Sequence, residues 1–126
     1  AIFQPEDAAK AVAATVEMQA FSREMAREVG LDMKLGANLH AGPVVCAELG
    51  SVDSRRFDII GRVVNQTFML GRGAGIRLSE RMYRLMPSDE RCPWDKHKPP
   101  AVYVLGEDGE PYAGAGGSVA KNIQRW

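Results

Sequence analysis

Apolar and polar positions follow two different periods along this chain, and the switches between them mark its elements. From Pro5 to Gly30, Ala11, Ala14, Met18, Phe21, Met25 and Val29 recur at spacings of three and four. That is the period of an amphipathic helix, and the stripe is expected to be its buried face. Pro5 at an early helical position and Glu6 and Asp7 in the first turn suit its start, and Gly30 suits its end. Glu17, Arg23, Glu24 and Arg27 lie mostly off the stripe and are expected in solvent. Next, Met33, Leu35, Ala37 and Leu39 alternate with Lys34, Gly36, Asn38 and His40, the pattern of a half-buried strand. An Ala41-Gly42-Pro43 corner follows, and the run Val44 to Ala47 is expected to pair with that strand. Pro43 lacks an N–H, so it opens a strand rather than interrupting one.

Further on, Arg56 to Ile60 has the β-branched and aromatic content of a strand. Arg62 to Arg72 predicts a second helix, ended by Gly71, Gly73 and Gly75. These glycines follow a helix instead of preceding one, so they read as a C-terminal cap and not as a phosphate loop. Ile76-Arg77-Leu78 predicts a buried strand, and Ser79 an N-cap for a brief helix from Glu80 to Met86. Pro87 and the polar run from Ser88 to Arg91 form a loop, and Ala101 to Leu105 a last strand stopped by a turn at Gly106 to Gly109. Residues 1–112 are read as one domain and 113–126 as a flexible C-terminal tail without periodicity. The order of elements indicates an α+β fold on an antiparallel sheet.

Bulk composition narrows the function classes. With 126 residues the chain is one domain or part of one, able to bury roughly 60–70% of its unfolded surface. Sixteen basic and sixteen acidic residues cancel, leaving no electrostatic footprint for nucleic acid. Cys46 and Cys92 are isolated, which fits a reduced, cytoplasmic setting and no metal cluster. The longest apolar run, Ala11 to Val16, is too short to span a bilayer, and no signal peptide is visible. Ala1-Ile2-Phe3 reads as the tail of a strand, and the chain as a piece of a longer protein.

The most specific pattern lies between Leu39 and Leu70. His40, Gly42, Val44, Gly50, Ser51, Phe57, Asp58, Gly61, Val64, Asn65 and Leu70 fall in one register. In that register the stretch resembles the catalytic domain of the class III nucleotidyl cyclases, the adenylate and guanylate cyclases. Two residues depart from the family pattern: Arg62 stands where an Asp is usual, and Met69 where the family has its catalytic Arg. More loosely, the resemblance runs from Ala1 to about Leu105. It implies a ferredoxin-like antiparallel sheet with helices on one face, the family's opening strand, helix and strand being absent. It also implies conversion of ATP to cyclic AMP and pyrophosphate, with the site at the interface of a homodimer or of a pairing with another cyclase domain. Magnesium or manganese would serve as cofactor, on two aspartates that this chain does not contain.

The resemblance assigns roles residue by residue. Asp58 matches the position whose carboxylate accepts from the adenine amino group, which favours ATP over GTP because guanine presents a carbonyl there. A solvated or hairpin-capping acid is the alternative. Asn65 matches the Asn that positions ribose and reacting phosphate, and otherwise reads as a helix-capping Asn. Met69, four residues on, shares a helix face with Asn65. A thioether there replaces a guanidinium, and the loss of one such stabiliser costs on the order of 10² to 10³ in rate. Arg72, seven residues from Asn65 and roughly 10 Å along a helix axis, is the candidate substitute. Lys96 and Lys98 stand near the family's phosphate-binding Lys, and otherwise are solvated lysines. His40 belongs to a structural corner. Two functions therefore stand open: a cyclase that is weak or inactive as this chain, and a non-catalytic cyclase-homology module binding nucleotide or a partner cyclase domain. An ordinary ferredoxin-like interaction domain is the third reading.

Overall fold

The computed structural model of the chain describes residues 1–97 and 101–106. Helix α1 spans Ala8–Val29, after one 3-10 turn at Pro5–Asp7. Then come β1 (Gly36–Leu39), β2 (Val45–Ser51), β3 (Ser54–Ile60), α2 (Arg62–Phe68), β4 (Gly75–Ser79), α3 (Glu80–Leu85), β5 (Asp95–His97) and β6 (Val102–Leu105). Gly30 closes α1 at φ 67°, its N–H bonded to the carbonyls of Ala26 and Arg27, a left-handed cap that a side chain would strain. Ser79 caps α3 as its sequence position predicts, its Oγ accepting from the Met82 N–H at 3.1 Å.

β1, β4, β6 and β5 form a four-stranded sheet in that order, and β2 and β3 a separate antiparallel hairpin. The α+β class expected from the sequence holds, with two differences in pairing. β1 and β4 run parallel, while β6 is antiparallel to both of its neighbours. The hairpin and α2 lie between β1 and β4 and supply the crossover that a parallel pair requires. The run after Pro43 does not pair with β1 as expected, but with β3, Val45 opposite Ile60 and Ser51 opposite Ser54. The corner at Gly42 explains this, since it carries the chain against α2: a Cβ on Gly42 would overlap one methyl of Val63.

The core lies between the sheet and the helices α1 and α3. Ile76, Leu78 and Met82 are fully buried there, with Leu39, Trp94, Tyr103 and Leu105 around them. Tyr83 stacks on Tyr103 with ring centroids 3.6 Å apart. Each fully buried side chain of this size contributes about 1.5–3 kcal/mol of transfer free energy. Val102 and Val104 alternate with Tyr103 and Leu105 and form a second, smaller cluster with Leu70.

Three expectations need correction. α1 turns Ala8, Val12, Gln19 and Ala26 inward, while Met18, Phe21, Met25 and Val29 are between 42% and 62% exposed. The buried and apolar faces are offset by roughly a third of a turn. Small inward residues let the helix lie close to the sheet, and no described element covers the larger stripe. Second, α2 ends at Phe68, short of the expected Arg72, because the chain turns so that Leu70 can enter the cluster with Val102 and Val104. Third, Ala1–Phe3 forms no strand among the described residues; Phe3 instead packs against the core. The expected loop after Pro87 contains one 3-10 turn, Ser88–Glu90. β5 is three residues long, too short for alternation to reveal it. The turn expected at Gly106 to Gly109 and the tail lie largely or wholly outside the described residues.

Candidate functional site

Two grooves flank α2, and they divide the residues singled out from the sequence. The first, about 520 Å³, is lined by His40, Arg62, Asn65, Gln66, Met69, Leu70, Ala101 and Val102. Its polar wall is one face of α2. Arg62, Asn65, Gln66 and Met69 stand at spacings of three, four and seven, which bring their side chains to one side of a helix. Gly61 and the hairpin strand β3 deliver the chain to the start of that helix. His40, at the end of β1, faces α2 with Nε2 3.3 Å from Gln66 Oε1, so the corner and the helix are tied together across the groove. Leu70, Ala101 and Val102 give it an apolar floor.

Asn65 and Met69 thus share a groove, as their spacing predicts. Asp58 does not line it. It sits half-buried on β3 opposite Ala47, and its Oδ1 accepts from the Ile59 N–H at 2.8 Å. Arg72 lies elsewhere as well. Because α2 stops at Phe68, the helical spacing from Asn65 to Arg72 does not apply, and Arg72 lines the second groove with Lys34, Asn38 and Arg77. That groove, about 540 Å³, follows the glycine-rich link from Gly71 to Ala74. Arg77, only 3% exposed on β4, donates to the carbonyls of Arg72, Gly73 and Ala74 at 2.6, 3.0 and 3.0 Å and pins the link in place. Lys96 lies outside both grooves, its ammonium 5.3 Å from the centroid of the Tyr103 ring. Lys98 lies outside the described residues.

Reading by resemblance passed over Arg62 and Gln66, the former noted only as a departure from an expected acid. Their signal was available: both fall on the helix face that joins Asn65 to Met69. The magnesium or manganese implied by the resemblance does not fit the described residues. No group of three or more His, Cys, Asp or Glu is placed to hold a metal ion, and no carboxylate lines the first groove.

No protein-family model matches the chain, and no curated protein does. Among solved structures, the guanylyl cyclase Cya2 is similar to it, with a TM-score of 0.64 and 27% sequence identity. The chain has a cyclase-like fold. The likeness covers 87% of this chain and 63% of the Cya2 chain, so this domain spans less than two thirds of that protein's length. No helix among the described residues is long and apolar enough to cross a membrane.

Proposed function

We propose that this cyclase-like domain contributes one wall of a nucleoside triphosphate site, with ATP preferred, and that as this chain it binds nucleotide without efficient ring closure. The supporting observation is the shared groove: Asn65 and Met69 face it together in a fold similar to that of a cyclase. Asn65 orients ribose and phosphate by its amide. Met69 brings a thioether where ring closure calls for charge on the transition state, a loss of about 10² to 10³ in rate. Asp58, outside the groove with its Oδ1 engaged by backbone, presents its second oxygen to an adenine amino group along the hairpin. A guanine carbonyl at that oxygen would be repelled.

A second chain, either another copy or another cyclase domain, completes the site. The hairpin supports this. A lone two-stranded hairpin is marginal in water, and this one exposes Val45, Val52, Phe57 and Ile60 at 52% or more.

The test is thermal melting with ATP, GTP and no nucleotide, combined with a cyclic AMP assay in manganese. Saturating ATP at 100 times its Kd adds about 2.7 kcal/mol of stability. A rise in Tm with ATP exceeding that with GTP, without cyclic AMP, is expected. Rapid cyclic AMP formation would refute the non-catalytic reading, and an unchanged Tm with both nucleotides would refute nucleotide binding altogether.

A further inference from the structure

Resting on that nucleotide reading, we infer that Arg62 is the phosphate-binding cation of the groove, carrying from the opposite end of α2 the charge that Met69 does not supply. Arg62 alone among the groove's described lining residues bears a permanent charge; the others are amides, an imidazole, a thioether and aliphatic side chains. No carboxylate opposes it there, and it makes no hydrogen bond or ion pair with a described residue. Its position is also suitable. At 1.5 Å rise per residue it stands about 4.5 Å along the axis from Asn65, and Met69 lies about 6 Å beyond on the same face. A phosphate chain held over the Asn65 amide therefore meets a guanidinium on the Arg62 side and only apolar surface on the Met69 side. The planar fork of Arg matches phosphate oxygens two at a time, with a specificity that a bare ammonium lacks.

The ligand class this selects is an oligophosphate with an apolar or aromatic appendage. The anion is held at Arg62 and Asn65, and the sugar follows over the apolar floor of Leu70 and Val102. Arg62 binds and orients here; it is placed away from the position where the resemblance puts the transition-state cation. Substrate retention without fast turnover follows from that displacement.

Isothermal titration of the full chain with inorganic tripolyphosphate, ATP and adenosine tests the assignment. Arg62→Ala is expected to weaken tripolyphosphate and ATP roughly tenfold and to leave adenosine unchanged, as loss of one charge-assisted contact predicts. Arg62→Lys should recover part of the loss. Arg81→Ala, an exposed charge removed from α3, serves as the control for net charge and should match the wild type. Wild-type affinity for ATP in Arg62→Ala, or an equal loss in Arg81→Ala, overturns the role of Arg62 and leaves nucleotide binding standing. Tripolyphosphate bound through Arg62 but no more weakly than ATP overturns the nucleotide reading and leaves Arg62. Binding of neither anion by the wild type overturns both.

Discussion

The face that α1 turns to the sheet can be tested with two truncations, Val12→Ala and Phe21→Ala. Val12 is 4% exposed in the main core, and Phe21 is 62% exposed. Removing the two Val12 methyl groups forfeits about 0.8 kcal/mol each in transfer, and the cavity left behind raises the loss to roughly 2 kcal/mol. The better helix propensity of Ala returns about 0.5 kcal/mol, for a net cost near 1.5 kcal/mol. Phe21 keeps about two fifths of its surface covered, worth about 1 kcal/mol at most. After the same helix-propensity gain its truncation costs about 0.5 kcal/mol or less. Had the apolar stripe been the buried face, Phe21→Ala would cost 3–5 kcal/mol. Urea unfolding at two protein concentrations reads both numbers from the midpoint at constant m-value. A larger loss for Phe21→Ala than for Val12→Ala, the same at both concentrations, would refute the orientation of α1. A loss that grows with concentration would identify the stripe as an interface between copies.

Three further outcomes are expected. Gln19→Leu should stabilise the protein by about 1–3 kcal/mol in the same unfolding assay, because Gln19 is 4% exposed and neither polar atom of its amide is hydrogen-bonded to a described residue. Gly42→Ala should destabilise by about 1–3 kcal/mol, since its new methyl overlaps Val63 at the joint between the corner and α2; Gly42→Ala combined with Val63→Ala should recover part of that loss. Arg77→Met should cost 3 kcal/mol or more and speed proteolysis between Gly71 and Gly75, as the carbonyls held by the guanidinium lose their donor; a midpoint shift under about 1 kcal/mol would contradict the pinning role.

Much of the fold was legible in the sequence where local chemistry decides structure. Gly30 ends α1, Ser79 caps α3 and Ile76 to Leu78 are buried, because caps and short apolar runs act through neighbours in the chain. The pairing of Asn65 with Met69 was legible for the same reason, since four residues along a helix bring two side chains to one side whatever surrounds them.

Other features were set only by contacts between distant residues. Periodicity showed that α1 has an apolar face, but the sheet accepted the face with small residues, and Gln19 went inward with it. Leu70 ended α2 early by reaching Val102 and Val104, and so removed Arg72 from the groove to which its spacing had assigned it. The corner at Gly42 packed on Val63, released β2 to pair with β3, and brought His40 opposite Gln66. The sequence by itself determined the three helices, the strands other than β5 and which residues share a helix face, because those depend on backbone geometry over a few residues. The tertiary structure alone decided which face of α1 is buried and that Arg72 leaves the groove of Asn65, because packing selects among faces that local geometry leaves equivalent and ends a helix where a distant contact is gained.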